Sequence, residues 1–270
     1  MWHGILEKMR TGNTGSKYDV KPRYTLEFNN ELIEMNDLIG SSVKVEFLNE
    51  IYCIRCGRKT RKTFGPGFCY PCFTSAPESE ECVLRPELCR AHEGIARDMG
   101  YAREHCLTDH FVYLAWSGGL KVGVTRHHHI PTRWIDQGAT GAIKICRTAN
   151  RYEAGRIEVE LKNIFGDKTP WQSMLKGAEN SNINLSNEKA KALEFINGKN
   201  LSYIPEEDST YRITYPVGVY PTKVVSINLD KLPGFEGKLV GIKGQYLVFA
   251  SNLVFNVRNH SGYSVSLRTL

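Results

Sequence analysis

The stretch CIRCGRKTRKTFGPGFCYPC carries four cysteines, Cys53, Cys56, Cys69 and Cys72, in the spacing C-x2-C-x12-C-x2-C. That spacing limits what this part of the chain can become. Each C-x2-C pair turns two sulfurs towards one point, and two such knuckles meeting in a hairpin complete a tetrahedral set of thiolates. Gly57 and Gly67, beside the two pairs, suit the tight turns that knuckles need. Four reduced surface cysteines would leave the paired spacing unexplained. A closed four-thiolate set has no position left for a substrate, so the spacing predicts a zinc ribbon with a structural zinc.

The theme continues in ECVLRPELCRAHEGIARDMGYAREHCLTDH, where Cys82, Cys89 and Cys106 are accompanied by His92, His105 and His110. Three thiolates and one imidazole make an acceptable closed set. His92 is the first choice for the fourth ligand, because it follows Cys89 by three residues and one turn can present both. The alternative is that these cysteines pack as small apolar residues. Cys146 has no partner in sequence and is expected in the core. Eight cysteines used in this way fit a reducing compartment, no apolar run is long enough for a membrane span, and the amino-terminal stretch lacks the apolar core of a signal peptide. A cytoplasmic location and no membrane partner are therefore expected.

The formal charge of +6 is unevenly spread, with Arg55, Arg58, Lys59, Arg61 and Lys62 all within eight positions. Arg58, Lys59, Arg61 and Lys62, with Arg126 further on, are candidates for phosphate contact; the competing reading of the loop is a solvated hairpin tip.

Five segments are expected. Residues 1–52 hold a β segment in which Val43, Val45 and Phe47 alternate with polar positions. Residues 53–110 are the zinc-binding region. Residues 111–175 read as β-β-α-β-α, the last helix marked by Ala154, Ile157, Leu161 and Phe165 at helical spacing. A polar passage over 176–209 reads as a helical linker, and 210–270 as short β-rich runs. The two β-rich ends are each short for an independent core and are expected to pair into one discontinuous domain. The fold class is α+β.

FVYLAWSGGLKVGVTR, residues 111–126, opens the middle segment. A strand with Tyr113, a tight turn, a strand carrying Lys121-Val122-Gly123, a helix with Arg133 and a later helix with Glu158 together resemble the GIY-YIG nuclease superfamily, particularly its phage-type branch. FVY stands for the first signature and KVG for the second. The resemblance covers about a quarter of the chain, and it departs from the pattern at Phe111, at Lys121 and in the closer spacing of the two signatures. The whole chain also resembles an uncharacterised bacterial zinc-containing family, from which no function carries over.

The resemblance implies a metal-dependent phosphodiesterase that cuts DNA or RNA. Glu158 would offer a carboxylate to Mg²⁺, Arg133 would face the charge that develops on phosphorus, and Tyr113 beside Lys121 would orient or deprotonate the attacking water. As ordinary structural residues, Tyr113 would be a strand aromatic, Lys121 and Arg133 edge charges, and Glu158 the partner of Lys162 one turn on. On a helical wheel Glu160 competes with Glu158, and periodicity alone does not choose between them. The histidines of His127-His128-His129 cannot all face one point and read as a solvated loop. Two other readings stand beside the enzyme: a non-catalytic module that binds structured RNA or a ribonucleoprotein, and a zinc-stabilised scaffold whose β regions bind a protein partner.

Overall fold

The computed structural model describes residues 1–166, 170–177 and 183–270. Three sheets with few and short helices make an α+β architecture. In the strand Ser42–Tyr52 the predicted alternation holds: Val43 and Val45 are buried, while Lys44 and Glu46 pair at 2.7 Å on the other face. This strand lies between Gly234–Lys243 and Tyr263–Thr269, antiparallel to both, and Trp2–Ile5 extends the sheet beyond Tyr263–Thr269. The two chain ends therefore form one β unit. A three-stranded sheet of Arg10–Asn13, Pro22–Phe28 and Glu31–Glu34 adds Tyr24, Leu26 and Phe28 to the same core.

The middle of the chain forms the second large sheet. Its elements run in the expected order: strands His110–Trp116 and Leu120–Arg126, helix Thr132–Asp136, strand Gly141–Thr148 and helix Arg151–Leu161. His110–Trp116 is central, paired with Leu120–Arg126 on one side and Gly141–Thr148 on the other. The period of two sends its side chains into two cores. Val112 and Leu114 pack with Ile157 and Leu161, whereas Tyr113 and Ala115 share the large core with Trp134 and the β unit. Cys146 is fully buried, as expected.

The expected linker over 176–209 is not one where it is described. Helix Leu185–Ile196, capped by Asn184, which accepts from the Ser186 and Asn187 amides, buries Leu185, Ala192 and Ile196 against Ile143 and Ile157. Its polar composition hid a narrow apolar stripe. Ile204–Pro205 and Thr210–Ile213 both pair with Gly141–Thr148, so the middle domain runs past both its expected end at 175 and the expected start of the C-terminal region at 210. Asp19–Val20, from the first segment, joins the same sheet through Thr210–Ile213, so residues 1–52 do not form one β segment. Residues 178–182 of that passage lie outside the described residues. Among the described residues no helix is long and apolar enough to cross a membrane.

Candidate functional site

Among the described residues, two cysteine clusters and one basic cleft bring together the side chains with metal-ligating or ionisable groups. At the first centre, the end of strand Ser42–Tyr52 delivers Cys53, and the Gly57 amide closes the knuckle by donating to the Cys53 carbonyl at 2.9 Å. Cys69 caps the helix Tyr70–Ser75 and Cys72 sits in its first turn. All four sulfurs lie within 4.8 Å of one another, with Cys56 Sγ 3.8 Å from Cys69 Sγ. A tetrahedron with metal–sulfur bonds of about 2.3 Å has edges of about 3.8 Å, so the donor set fits zinc. Burial raises the Cys53 thiol, but the amides of Cys69, Cys56 and Arg55 outweigh it and lower it to about 6. Burial and the neighbouring sulfurs push Cys72 up to about 12.

At the second centre Cys82, Cys89 and Cys106 also lie within 4.8 Å of one another, and all three are buried. His92 is not in the group; its ring stacks on Tyr152 at 4.3 Å. Arg151 Nη1 lies 3.6 Å from Cys82 Sγ, and Nη2 donates to the His105 carbonyl at 3.0 Å.

The cleft is a cavity of about 470 Å³ between the central hairpin, the helices Thr132–Asp136 and Arg151–Leu161, and the Cys82 turn. Tyr113, Lys121, Arg133 and Glu158 all line it. So do Lys8, Arg126, Arg151, Lys162 and Arg258, giving, among the described residues, seven cations against the two carboxylates Asp136 and Glu158. Asp136 is already taken by Lys8 and by Gln245 Nε2, the latter at 2.9 Å, and Glu158 lies 3.5 Å from Lys162. Among the described residues, Asp136 and Glu158 are the carboxylates on the cleft wall.

Tyr113 is fully buried beneath the cleft floor, and burial raises its phenol, with Arg133 only partly opposing. Its cross-strand partner is Gly123, where a Cβ would stand 2.6 Å from the hydroxyl; glycine is what lets the phenol lie there. Gln137 connects Tyr113 to Arg133. With its amide oxygen towards Arg133 it accepts from Nη2 at 3.2 Å and Nε at 3.1 Å, while its nitrogen donates to the Tyr113 hydroxyl at 3.0 Å. The cation that acts on the phenol is Arg133, and burial disfavours the ionised form. Lys121 is instead the group moved towards neutrality, lowered to about 8 by burial and by Arg133.

Burial raises the carboxyl of Glu158, against the pull of Lys162 and Arg133. Glu160 turns outward to Lys199 at 2.6 Å, so of the two glutamates it is Glu158 that reaches the cleft. Arg126 donates to His129 Nε2 at 2.8 Å on the cleft wall, whereas His127 and His128 are exposed. Arg58, Lys59, Arg61 and Lys62 are exposed and line no part of the cleft; Lys59 pairs with Glu50 at 2.6 Å, and Lys62 sits 4.9 Å over the Phe64 ring.

Sequence reasoning missed Gln137, Arg151, Arg258 and Lys8. Gln137 had a signal, standing one helical turn after Arg133; the others come from segments whose approach only the tertiary fold reveals.

One family model matches the chain, over residues 40–265, described as Protein of unknown function (DUF2797). The chain belongs to this family. The DUF2797 match spans both cysteine centres and every named cleft residue except Lys8. No curated protein and no solved structure matches the chain.

Proposed function

We propose that this DUF2797 protein binds nucleic acid in the basic cleft and hydrolyses a phosphodiester bond there, as the GIY-YIG-like reading of its middle domain implies. One observation carries the reading. Four residues spread over 46 positions, Tyr113, Lys121, Arg133 and Glu158, line a single cavity whose cations outnumber its carboxylates. A polyanion is the ligand class such a wall attracts. The β-β-α-β-α order supports the same reading.

The roles follow from the local electrostatics. Arg133, held in plane by the Gln137 oxygen, presents its remaining donors to the phosphate, where they stabilise the charge that develops. Tyr113, fully buried, acts through Gln137: its hydroxyl is bonded to the amide that holds Arg133 towards the phosphate. Lys121, near its titration point at about 8, is the group able to move a proton at neutral pH. Asp136 is held by Lys8 and Gln245, so Glu158 is the cleft carboxylate that would take a hard cation, in exchange for Lys162 at 3.5 Å, and a single carboxylate fits Mg²⁺, which keeps most of its waters. When bound, that ion would supply charge stabilisation at phosphorus. The four-cysteine centre would hold a structural zinc.

Incubation of fluorescent DNA and RNA oligonucleotides with the protein and Mg²⁺ or Mn²⁺ tests the reading. Cleavage by the wild type, lost in Glu158→Gln with binding kept, is the expected result. Equal cleavage by Glu158→Gln refutes the site. A neutral, buried Tyr113 also suits a module that binds RNA without cutting it, and binding without cleavage by the wild type would select that reading.

A further inference from the structure

We propose that Cys82, Cys89 and Cys106 hold a second metal ion through three thiolates, and that its fourth coordination position is filled from the cleft by water or another exchangeable donor rather than by His92. The first ground is what holds this segment together. Between the zinc ribbon and the central sheet the chain forms four three-residue turns, Pro77–Ser79, Glu81–Val83, Pro86–Leu88 and Ala91–Glu93, followed by the short helix Met99–His105. The apolar cluster at its centre consists of the three cysteines with Ala91 and Ala102, ringed by half-buried Ala96, Met99 and Tyr152. Its larger aliphatic side chains point outward: Val83, Leu84, Leu88 and Ile95 are exposed, Leu84 at 86%. Burial at about 25 cal/mol per Å² of so little surface falls well short of the roughly 1–2 kcal/mol per residue needed to order the backbone. A metal bound by the three sulfurs supplies folding energy where the core does not.

The second ground is the missing fourth ligand. Among the described residues no histidine, aspartate, glutamate or further cysteine joins the three sulfurs. The nearby histidines stand outside the group. His92 stacks on Tyr152, and His105 stacks on Tyr101 and bonds its carbonyl through Nδ1 at 3.0 Å. His110 bonds the Thr108 carbonyl through Nδ1 at 2.7 Å, and its Nε2, buried without a hydrogen-bond partner on the same cleft as Cys82, does not lie within 4.8 Å of the three sulfurs.

The third ground is placement. Cys82 is the member of the trio that lines the cleft, and so does Arg151, whose guanidinium approaches its sulfur to 3.6 Å. Three thiolates on a divalent ion leave one net negative charge, which that guanidinium offsets. Three protein ligands with one position turned to a cavity is the arrangement of zinc sites that exchange their fourth ligand.

The test uses the full chain. Elemental analysis should find two zinc ions per chain in the wild type and in His92→Gln, and one in Cys82→Ser. After replacement of zinc by Co²⁺, titration with cyanide should shift the visible ligand-field bands of the wild type and of His92→Gln and leave those of Cys82→Ser unchanged. Should Cys82→Ser fail to fold, the wild type and His92→Gln decide alone. One ion per chain in the wild type, loss of an ion in His92→Gln, or bands that cyanide does not move overturns the proposal.

Discussion

Gly155 sits in the interior of helix Arg151–Leu161, where alanine would ordinarily be favoured by about 1 kcal/mol. At this position the opposite outcome is expected. A Cβ on Gly155 would stand 2.2 Å from the Glu87 backbone nitrogen, 2.4 Å from the Pro86 carbonyl carbon and 2.8 Å from the Glu87 Cα. These are backbone atoms of the turn Pro86–Leu88, which cannot swing aside as a side chain can. Ordinary contact at about 3.5 Å would require the turn or the helix to retreat by roughly 1 Å. Overpacking of this kind costs about 1–3 kcal/mol, and with backbone on the other side the upper part of that range applies, so after the propensity gain of about 1 kcal/mol Gly155→Ala should be destabilised by up to about 2 kcal/mol net. Urea unfolding measures it: the midpoint should fall with the slope unchanged. The same helix carries Glu158 and starts from Arg151, whose amide donates to the Cys106 carbonyl at 2.8 Å, so the variant should also hold metal at the three-cysteine centre less firmly. A Gly155→Ala protein as stable as the wild type, or more so, would show that helix and turn do not pack as described.

Cys53→Ser should lose the zinc of the four-cysteine centre and melt well below the wild type, because one missing ligand forfeits coupled folding energy; elemental analysis and a thermal scan report both. Lys121 has its folded value lowered to about 8 from 10.5, so below pH 8 its burial as a cation opposes folding, and that cost fades as pH rises towards 10.5. Lys121→Met should accordingly be more stable than wild type by about 1–3 kcal/mol at pH 7, with the difference closing near pH 10, as denaturation at the two pH values would reveal. Arg126→Ala should weaken oligonucleotide binding and flatten its salt slope by about 1, while Arg58→Ala, outside the cleft, should change either one less.

The cysteine spacing made the clustering of Cys53, Cys56, Cys69 and Cys72 legible, because two knuckles have one way to bring four sulfurs to one point. Strand alternation at Val43 and Val45, and helical spacing at Ile157 and Leu161, likewise located buried faces correctly. Pairing of the chain ends followed from the shortness of each. What periodicity could not supply was long-range approach. Helix Leu185–Ile196 looked like a linker because its stripe is only Leu185, Ala192 and Ile196, and its partner sheet lies some 40 residues earlier. Position also decided the charges. Lys59 and Arg61 formed the densest basic run in the sequence, yet they lie outside the cleft, while Lys8 and Arg258, far apart in the chain, line it. The state of Tyr113 was illegible for a related reason: its ionisation depends on complete burial and on the bridge through Gln137, neither of which a sequence displays.

The most direct test of the cleft as a nucleic-acid site is the affinity of wild type and Arg133→Ala for one oligonucleotide, followed from low to moderate salt. The wild type should bind, with log affinity falling linearly as log salt rises, and Arg133→Ala should bind more weakly with a slope shallower by about 1. No binding at low salt, or identical lines for the two proteins, would contradict the account.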